Sequence, residues 1–205
     1  MLAPIIAIVI SYLIGSISFS ILFARWIRKI DIRQHGSGNA GATNTLRVLG
    51  KGPALAVFLL DIAKGVVSVV LGWLLIGDQG DWVPVACGLA AIAGHNWPIF
   101  FRFKGGKGIA TTIGAMICLA PVPVVIAGVV AIASIALTRY VSLGSMIFAV
   151  LVPIILLIGG SGQAVFWGAV VVAVLAVLRH RKNIVKLAKG TENKLGGKKG
   201  EPHGI

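Results

Sequence analysis

Acidic residues are scarce: six Asp and Glu stand against 19 Lys and Arg in a chain of 205 residues. Acids this few and this scattered do not form the carboxylate array that metal-assisted transfer on phosphorylated or cytidine-activated lipids uses, so neither a metal nor a cofactor is expected. Cysteine is rarer still, and Cys87 and Cys118 both fall inside apolar runs, where a small polarizable thiol packs; neither a disulfide framework nor a metal site is suggested. A nucleotide phosphate loop is missing too, because Lys107 is followed by Gly108 and not by Ser or Thr. Charge of either sign makes up only 12% of the chain and apolar residues 57%, far from the ~25% charged residues of soluble domains. The chain is therefore read as a polytopic membrane protein, and all-α, since backbone in lipid must satisfy its own hydrogen bonds.

Apolar runs lie near residues 2–24, 53–76, 83–101, 109–138, 140–158 and 163–178. The first is interrupted by Tyr12, Gly15, Ser16, Ser18 and Ser20 and has no convincing cleavage site, so a retained span is expected. The fourth is too long for one crossing, and Pro121-Val122-Pro123 divides it. Seven transmembrane helices result. With the N-terminus outside, every Lys or Arg except Lys64 falls on the cytoplasmic side, as the positive-inside rule requires, and the C-terminus is cytoplasmic. Six spans put Arg139 and the basic tail on the wrong side. The short fourth span is the strained point, since residues 109–120 give only about 18 Å of helix. Net charge of +13 is met by loops facing anionic lipid, and no nucleic-acid partner is expected. Residues 1–187 form the integral membrane domain, and 188–205 read as a basic, disordered cytoplasmic tail.

Positive-inside bias does not explain why the inner loops are also rich in glycine, hydroxyls and amides. Four clusters carry them. "GSGNAGATNTLR", residues 36–47, combines tight backbone with hydrogen-bonding side chains and a cation, which suits an anion or a polyol. "GHNWPIFFRFKGGKG", residues 94–108, sets glycines and Lys104 and Lys107 before a helix start, where N–H groups and the positive helix end hold phosphate. In "RYVSLGS", residues 139–145, Arg139, Ser142 and Ser145 share a helix face. In "RHRKNI", residues 179–184, His180 and Asn183 are likewise three apart. Asp61 and Lys64, also three apart but inside the second span, are expected to pair with each other and steady the walls of the site.

In this order on a small polytopic chain, these motifs resemble the bacterial acyl-phosphate:glycerol-3-phosphate acyltransferase family over residues 1 to about 187. The resemblance implies a seven-helix membrane enzyme of phospholipid biosynthesis in the bacterial inner membrane. Its site faces the cytoplasm, and it moves a fatty acyl group from acyl phosphate to the sn-1 hydroxyl of glycerol 3-phosphate. Lysophosphatidic acid and phosphate are the products. A soluble enzyme producing acyl phosphate is the partner class it raises, beside membrane lipid and the two substrates.

With those substrates in view, Arg47, Lys107, Ser142, His180 and Asn183 offer charge and directional donors to glycerol 3-phosphate. Ser37, Asn39, Thr43 and the backbone of Gly105, Gly106 and Gly108 are assigned to acyl phosphate, with Asn44 and Lys104 as further binding groups. Ser37, His95 and Lys107 are the catalytic candidates, His95 as base or orienter. No Ser-His-Asp triad is recognisable, because neither Asp31 nor Asp61 lies in a motif, so direct attack by the glycerol hydroxyl is expected, with His95 or the departing phosphate taking the proton. Phe100, Phe101 and Phe103 either border an apolar acyl groove or anchor a helix end at the interface, the commoner role of aromatics there. A metabolite carrier is the rival class, but its polar groups would continue through the membrane instead of clustering on one side.

Overall fold

The computed structural model describes residues 2–76 and 80–196, and all regular structure among them is helical. The helices are α1 (Leu2–Gly15), α2 (Phe19–Arg28), α3 (Ala42–Leu49), α4 (Lys51–Ile76), α5 (Trp82–Asn96), α6 (Ile109–Leu119), α7 (Pro121–Thr138), α8 (Val141–Gly159), α9 (Gln163–Arg179) and α10 (Arg181–Ala188). The expected break at the double proline is present: α6 stops at Leu119 and Pro121 opens α7, where its fixed φ and missing N–H are harmless. The run 2–24 is not one uninterrupted helix, because α1 ends at Gly15 and the chain restarts at Phe19. Lys29 and Arg139 end α2 and α7 in the left-handed conformation.

Five helical stretches are long and apolar enough to cross a membrane, the first being Leu2–Arg28 taken whole; α9 with α10, bent by 57°, makes a sixth. α6 has only 11 residues and is too short by itself. Apolar side chains cover the outside of the bundle, with Leu74, Leu137 and Ile158 turned outward. Inside, α4 packs on α6, α1 on α5 and α7 on α8. The α4–α6 contact is nearly backbone to backbone: a Cβ at Gly65 would strike the Thr111 carbonyl, and one at Gly114 the Ile62 carbonyl. This close approach fixes the depth of α6. Its N-terminus is thereby held at the wall of a large cavity. The main apolar core lies beside it, built on Met116, Val124, Phe148, Val152 and Ala169.

Candidate active site

A cavity of about 990 Å³ draws together all four polar clusters. Ser37, Asn39, Thr43, Asn44 and Arg47 reach it from the first, His95, Gly105, Lys107 and Gly108 from the second, Ser142 from the third, and His180 and Asn183 from the fourth. Two expected residues do not line it. Lys104 is exposed and contributes only its carbonyl to Arg33, and Gly106 is packed behind the wall.

Three assignments change once hydrogen bonds are counted. Asn44 is fully buried: its Oδ1 accepts from Ser37 N–H (2.8 Å), while its Nδ2 donates to the carbonyls of Ile32 (3.1 Å) and His35 (3.0 Å). It shapes the loop and has little left for a substrate. The N–H groups of Gly105 and Gly106 donate to the carbonyls of Asn96 (3.3 Å) and His95 (3.1 Å), so they are not free anion donors. The free N–H groups lie just beyond, since Ile109 and Ala110 open α6 with no backbone acceptor and both line the cavity. Glycine at 106 is needed for another reason: a Cβ there would collide with Nε2 of His95 and the Ala40 carbonyl.

Two arginines hold this loop. Arg33 pairs with Asp31 (2.6 Å) and donates to the carbonyls of Phe101 (2.9 Å) and Lys104 (3.2 Å). Arg179 donates to the Gly106 carbonyl (2.6 Å) and stacks over Trp97 at 5.4 Å. From sequence, Arg33 is only one of the inner cations, and Arg179 belongs to the fourth cluster, whose cations the positive-inside bias explains equally well. Their partners are main-chain carbonyls, which no side-chain pattern announces.

Lys64 and Asp61 form the expected pair, at 2.8 Å and almost entirely buried. His95 joins them across the α4–α5 interface: its Nδ1 lies 2.9 Å from Lys64 Nζ and 3.5 Å from Asp61 Oδ1. The carboxylate beside the histidine is thus Asp61, one of the two candidates in the sequence, although it lies in no motif. The Lys64 ammonium also donates to the Ile17 carbonyl (3.0 Å) and, having no lone pair, can only donate to His95 Nδ1, whereas Asp61 Oδ1, close to both, makes no well-aligned hydrogen bond. That leaves the imidazole proton on Nε2, the nitrogen against Gly106. His95, which lines the cavity, is in this state a donor and not a base.

In a second network Lys107 donates to Asn183 Oδ1 (2.6 Å), Asn183 Nδ2 donates to Glu192 Oε1 (2.7 Å), and Ser142 Oγ donates to the same oxygen (2.9 Å). Burial, helped by the cations Arg47, Arg179 and Lys186 and opposed by Glu192, lowers the Lys107 ammonium to about 8. His180 donates from Nδ1 to the Ala176 carbonyl (2.7 Å), because a carbonyl can only accept, and keeps Nε2 available. Glu192 comes from the segment expected to be a structureless tail. Residues 190–196 instead lie over the site, with Leu195 N–H bonded to the Arg139 carbonyl (2.7 Å) and Arg139 Nε to the Leu195 carbonyl (3.0 Å). Residues 197–205 lie outside the described part.

Away from these groups the cavity becomes apolar between α4, α6, α7 and α8, where Phe58, Ile62, Ile113, Gly128, Ile132 and Phe148 line it. Phe58 and Ile132 are also exposed on the flank of the bundle, so this arm opens sideways. The expected phenylalanine border is wrong: Phe101 is packed with Ile21 and Ile32, and Phe100 and Phe103 point outward away from the cavity. The arrangement can hold a phosphorylated polar molecule at the cationic end and a long apolar chain in the arm.

The family model described as glycerol-3-phosphate acyltransferase matches residues 5–190. A glycerol-3-phosphate acyltransferase of Halalkalibacterium halodurans is 56% identical over 193 residues, covering 92% of this chain and 94% of that one. One from Shouchella clausii is 54% identical over 203 residues, covering 97% and 99%. Among solved structures, PlsY (YgiH), an integral membrane glycerol 3-phosphate acyltransferase, superposes in its glycerol 3-phosphate form with a TM-score of 0.89 and 36% identity, over 94% of this chain and 96% of that one. Its lysophosphatidic acid form gives 0.86 at the same identity, over 94% and 95%. The chain belongs to the glycerol-3-phosphate acyltransferase family of integral membrane proteins.

Proposed function

We propose that the protein transfers a fatty acyl group from acyl phosphate to the sn-1 hydroxyl of glycerol 3-phosphate at the cytoplasmic face of the bacterial inner membrane. The observation that carries this reading is the continuity of one cavity from a cationic end, with Arg47 and Lys107, to an apolar arm open on the flank. A lipid chain enters from the side and the water-soluble phosphate from the polar end. Seven crossings, with the N-terminus outside and the C-terminus inside, place all four clusters on the cytoplasmic side; α6 is then a short crossing held by its close contact with α4.

Lys107, Arg47 and the second Nδ2 proton of Asn183 take the phosphate of glycerol 3-phosphate; Ser142, whose proton Glu192 holds, borders them, and His180 Nε2, bare because Nδ1 carries the ring proton, lines the same end as an acceptor. Ser37, Asn39, Thr43 and the free N–H groups opening α6 take that of the donor. His95, held by the Lys64 and Asp61 pair and itself lining the cavity, donates from Nε2–H to the donor's oxygens as charge develops. The glycerol hydroxyl oxygen attacks the acyl carbonyl carbon, the bond from that carbon to the phosphate oxygen breaks, and the hydroxyl proton leaves with the phosphate. Acyl phosphate is already a mixed anhydride, so no covalent acyl-protein is needed. A proton acceptor on the substrate fits a His95 whose Nδ1 is engaged by Lys64. A soluble enzyme that makes acyl phosphate is the partner this chemistry calls for.

The test uses purified protein in lipid with labelled glycerol 3-phosphate, palmitoyl phosphate and a metal chelator, with palmitoyl-coenzyme A in a parallel tube. Lysophosphatidic acid from acyl phosphate alone is expected. Product from the thioester alone, or none from either donor, overturns the reading.

A further inference from the structure

Glu192 is buried in the cationic end of the cavity, at 5% exposure, yet among the described residues no Lys or Arg nitrogen lies within ion-pair distance of it. Its Oε1 accepts from Ser142 Oγ and Asn183 Nδ2, and its Oε2 is equally enclosed and has no partner. A buried carboxylate oxygen without a donor is a costly omission in a folded protein. The residues around it do not supply one, although Arg47 and Lys107 stand nearby. We propose that Glu192 Oε2 is the acceptor for the C2 hydroxyl of glycerol 3-phosphate and so selects a polyol phosphate over a simple alkyl phosphate. This rests on the substrate assigned above.

The chemistry supports the position. Ser142 and Asn183, the two donors held by Oε1, belong to the phosphate subsite, and the hydroxyl nearest the phosphate at C3 is the one at C2. The C1 hydroxyl is then left free to turn toward the acyl donor. A carboxylate is tolerable next to a phosphate here because Arg47, Lys107, Arg179 and Lys186 all act on this end of the cavity. Four positive charges exceed the sum of one carboxylate and a phosphate dianion. By holding the Asn183 amide through Nδ2, Glu192 also turns its Oδ1 toward Lys107, so the cation stays presented to the phosphate. The tail segment Thr191–Leu195 therefore belongs to the substrate site, tied down by Arg139 and by Arg47 on the Asn193 carbonyl.

Equilibrium binding to the full chain in detergent tests this without depending on turnover. The ligands are glycerol 3-phosphate, its 2-deoxy analogue 3-hydroxypropyl phosphate, its 1-deoxy analogue propane-1,2-diol phosphate, and inorganic phosphate. The unsubstituted protein is expected to bind the 2-deoxy analogue at least about tenfold more weakly than glycerol 3-phosphate and the 1-deoxy analogue nearly as well, because a site built to bond a hydroxyl rejects a ligand lacking it. Glu192→Gln and Glu192→Asp are expected to shrink the 2-deoxy penalty to about twofold while inorganic phosphate still binds. Equal loss for both deoxy analogues in the unsubstituted protein overturns the proposal, whether or not the variants fold. An undiminished penalty in a folded Glu192→Gln also overturns it. Failure of the unsubstituted protein to bind either glycerol 3-phosphate or phosphate defeats the functional reading itself and is separable from both.

Discussion

Two polar networks line the cavity, and they differ in how their charges are met. In one, Asp61, Lys64 and His95 pair within the protein: the carboxylate meets the ammonium at 2.8 Å, and the ammonium also bonds the Ile17 carbonyl and His95 Nδ1. In the other, Lys107, Arg47 and Arg179 bring positive charge with a single carboxylate, Glu192, between them and no ion pair to it. The first network balances its charges inside the protein and is read as scaffold; in the proposed function the second, where cations are in excess, is filled by a phosphate. A buried charge that is completed by the protein holds geometry, whereas one that is left incomplete holds a ligand.

The largest expected effect comes from breaking the closed network. Lys64→Met strands the Asp61 carboxylate and should cost about 3–5 kcal/mol, read as a lost or sharply lowered thermal transition. If the variant keeps its melting temperature, the network is not scaffold. Lys107→Ala should leave melting unchanged and lower kcat/KM by about a hundredfold or more, because a charge that meets the phosphate is gone. Unaltered kinetics would remove Lys107 from the site. Arg179→Gln, which loosens the Gly106 carbonyl, should lower kcat/KM by about tenfold with protein still folded.

The open network should also respond to pH. Lys107 has its ammonium pulled down to about 8, so the cationic form dominates below that pH and is lost above it. From pH 8 to 9 the charged fraction falls by about fivefold, and kcat/KM for glycerol 3-phosphate, which reports the free protein, should fall with it. A flat profile to pH 9 would place the Lys107 proton elsewhere. The smallest effect lies in the apolar arm. Gly128 borders it with open space where a Cβ would stand, so Gly128→Leu should shorten the preferred acyl chain, changing relative rates by about two- to threefold. Identical chain profiles would show that the acyl group lies outside this arm.

Local features were legible from sequence, and contacts between distant segments were not. Glycines beside hydroxyls, amides and cations marked four loops that the fold does bring to one cavity, because each cluster is contiguous. The Asp61 and Lys64 pair followed from helical spacing alone. His95 joining it did not, since that contact exists only where α5 crosses α4. Whether a donor is free also depends on partners: Asn44, Gly105 and Gly106 carry suitable groups and have committed them to the backbone. Glu192 was hidden by composition, as one acid among glycines and lysines reads as solvated tail until Ser142 and Asn183 are seen to hold it. The phenylalanines near residue 100 looked like groove walls because they are apolar and adjacent to the loop, but their exposure puts two of them outside.

The central claim is that both substrates occupy the one cavity together and react directly. Initial-rate kinetics with acyl phosphate and glycerol 3-phosphate varied against each other test it most directly. Intersecting double-reciprocal lines, the signature of a ternary complex, are predicted. Parallel lines, the signature of a covalent acyl-protein formed before glycerol 3-phosphate binds, would contradict the account.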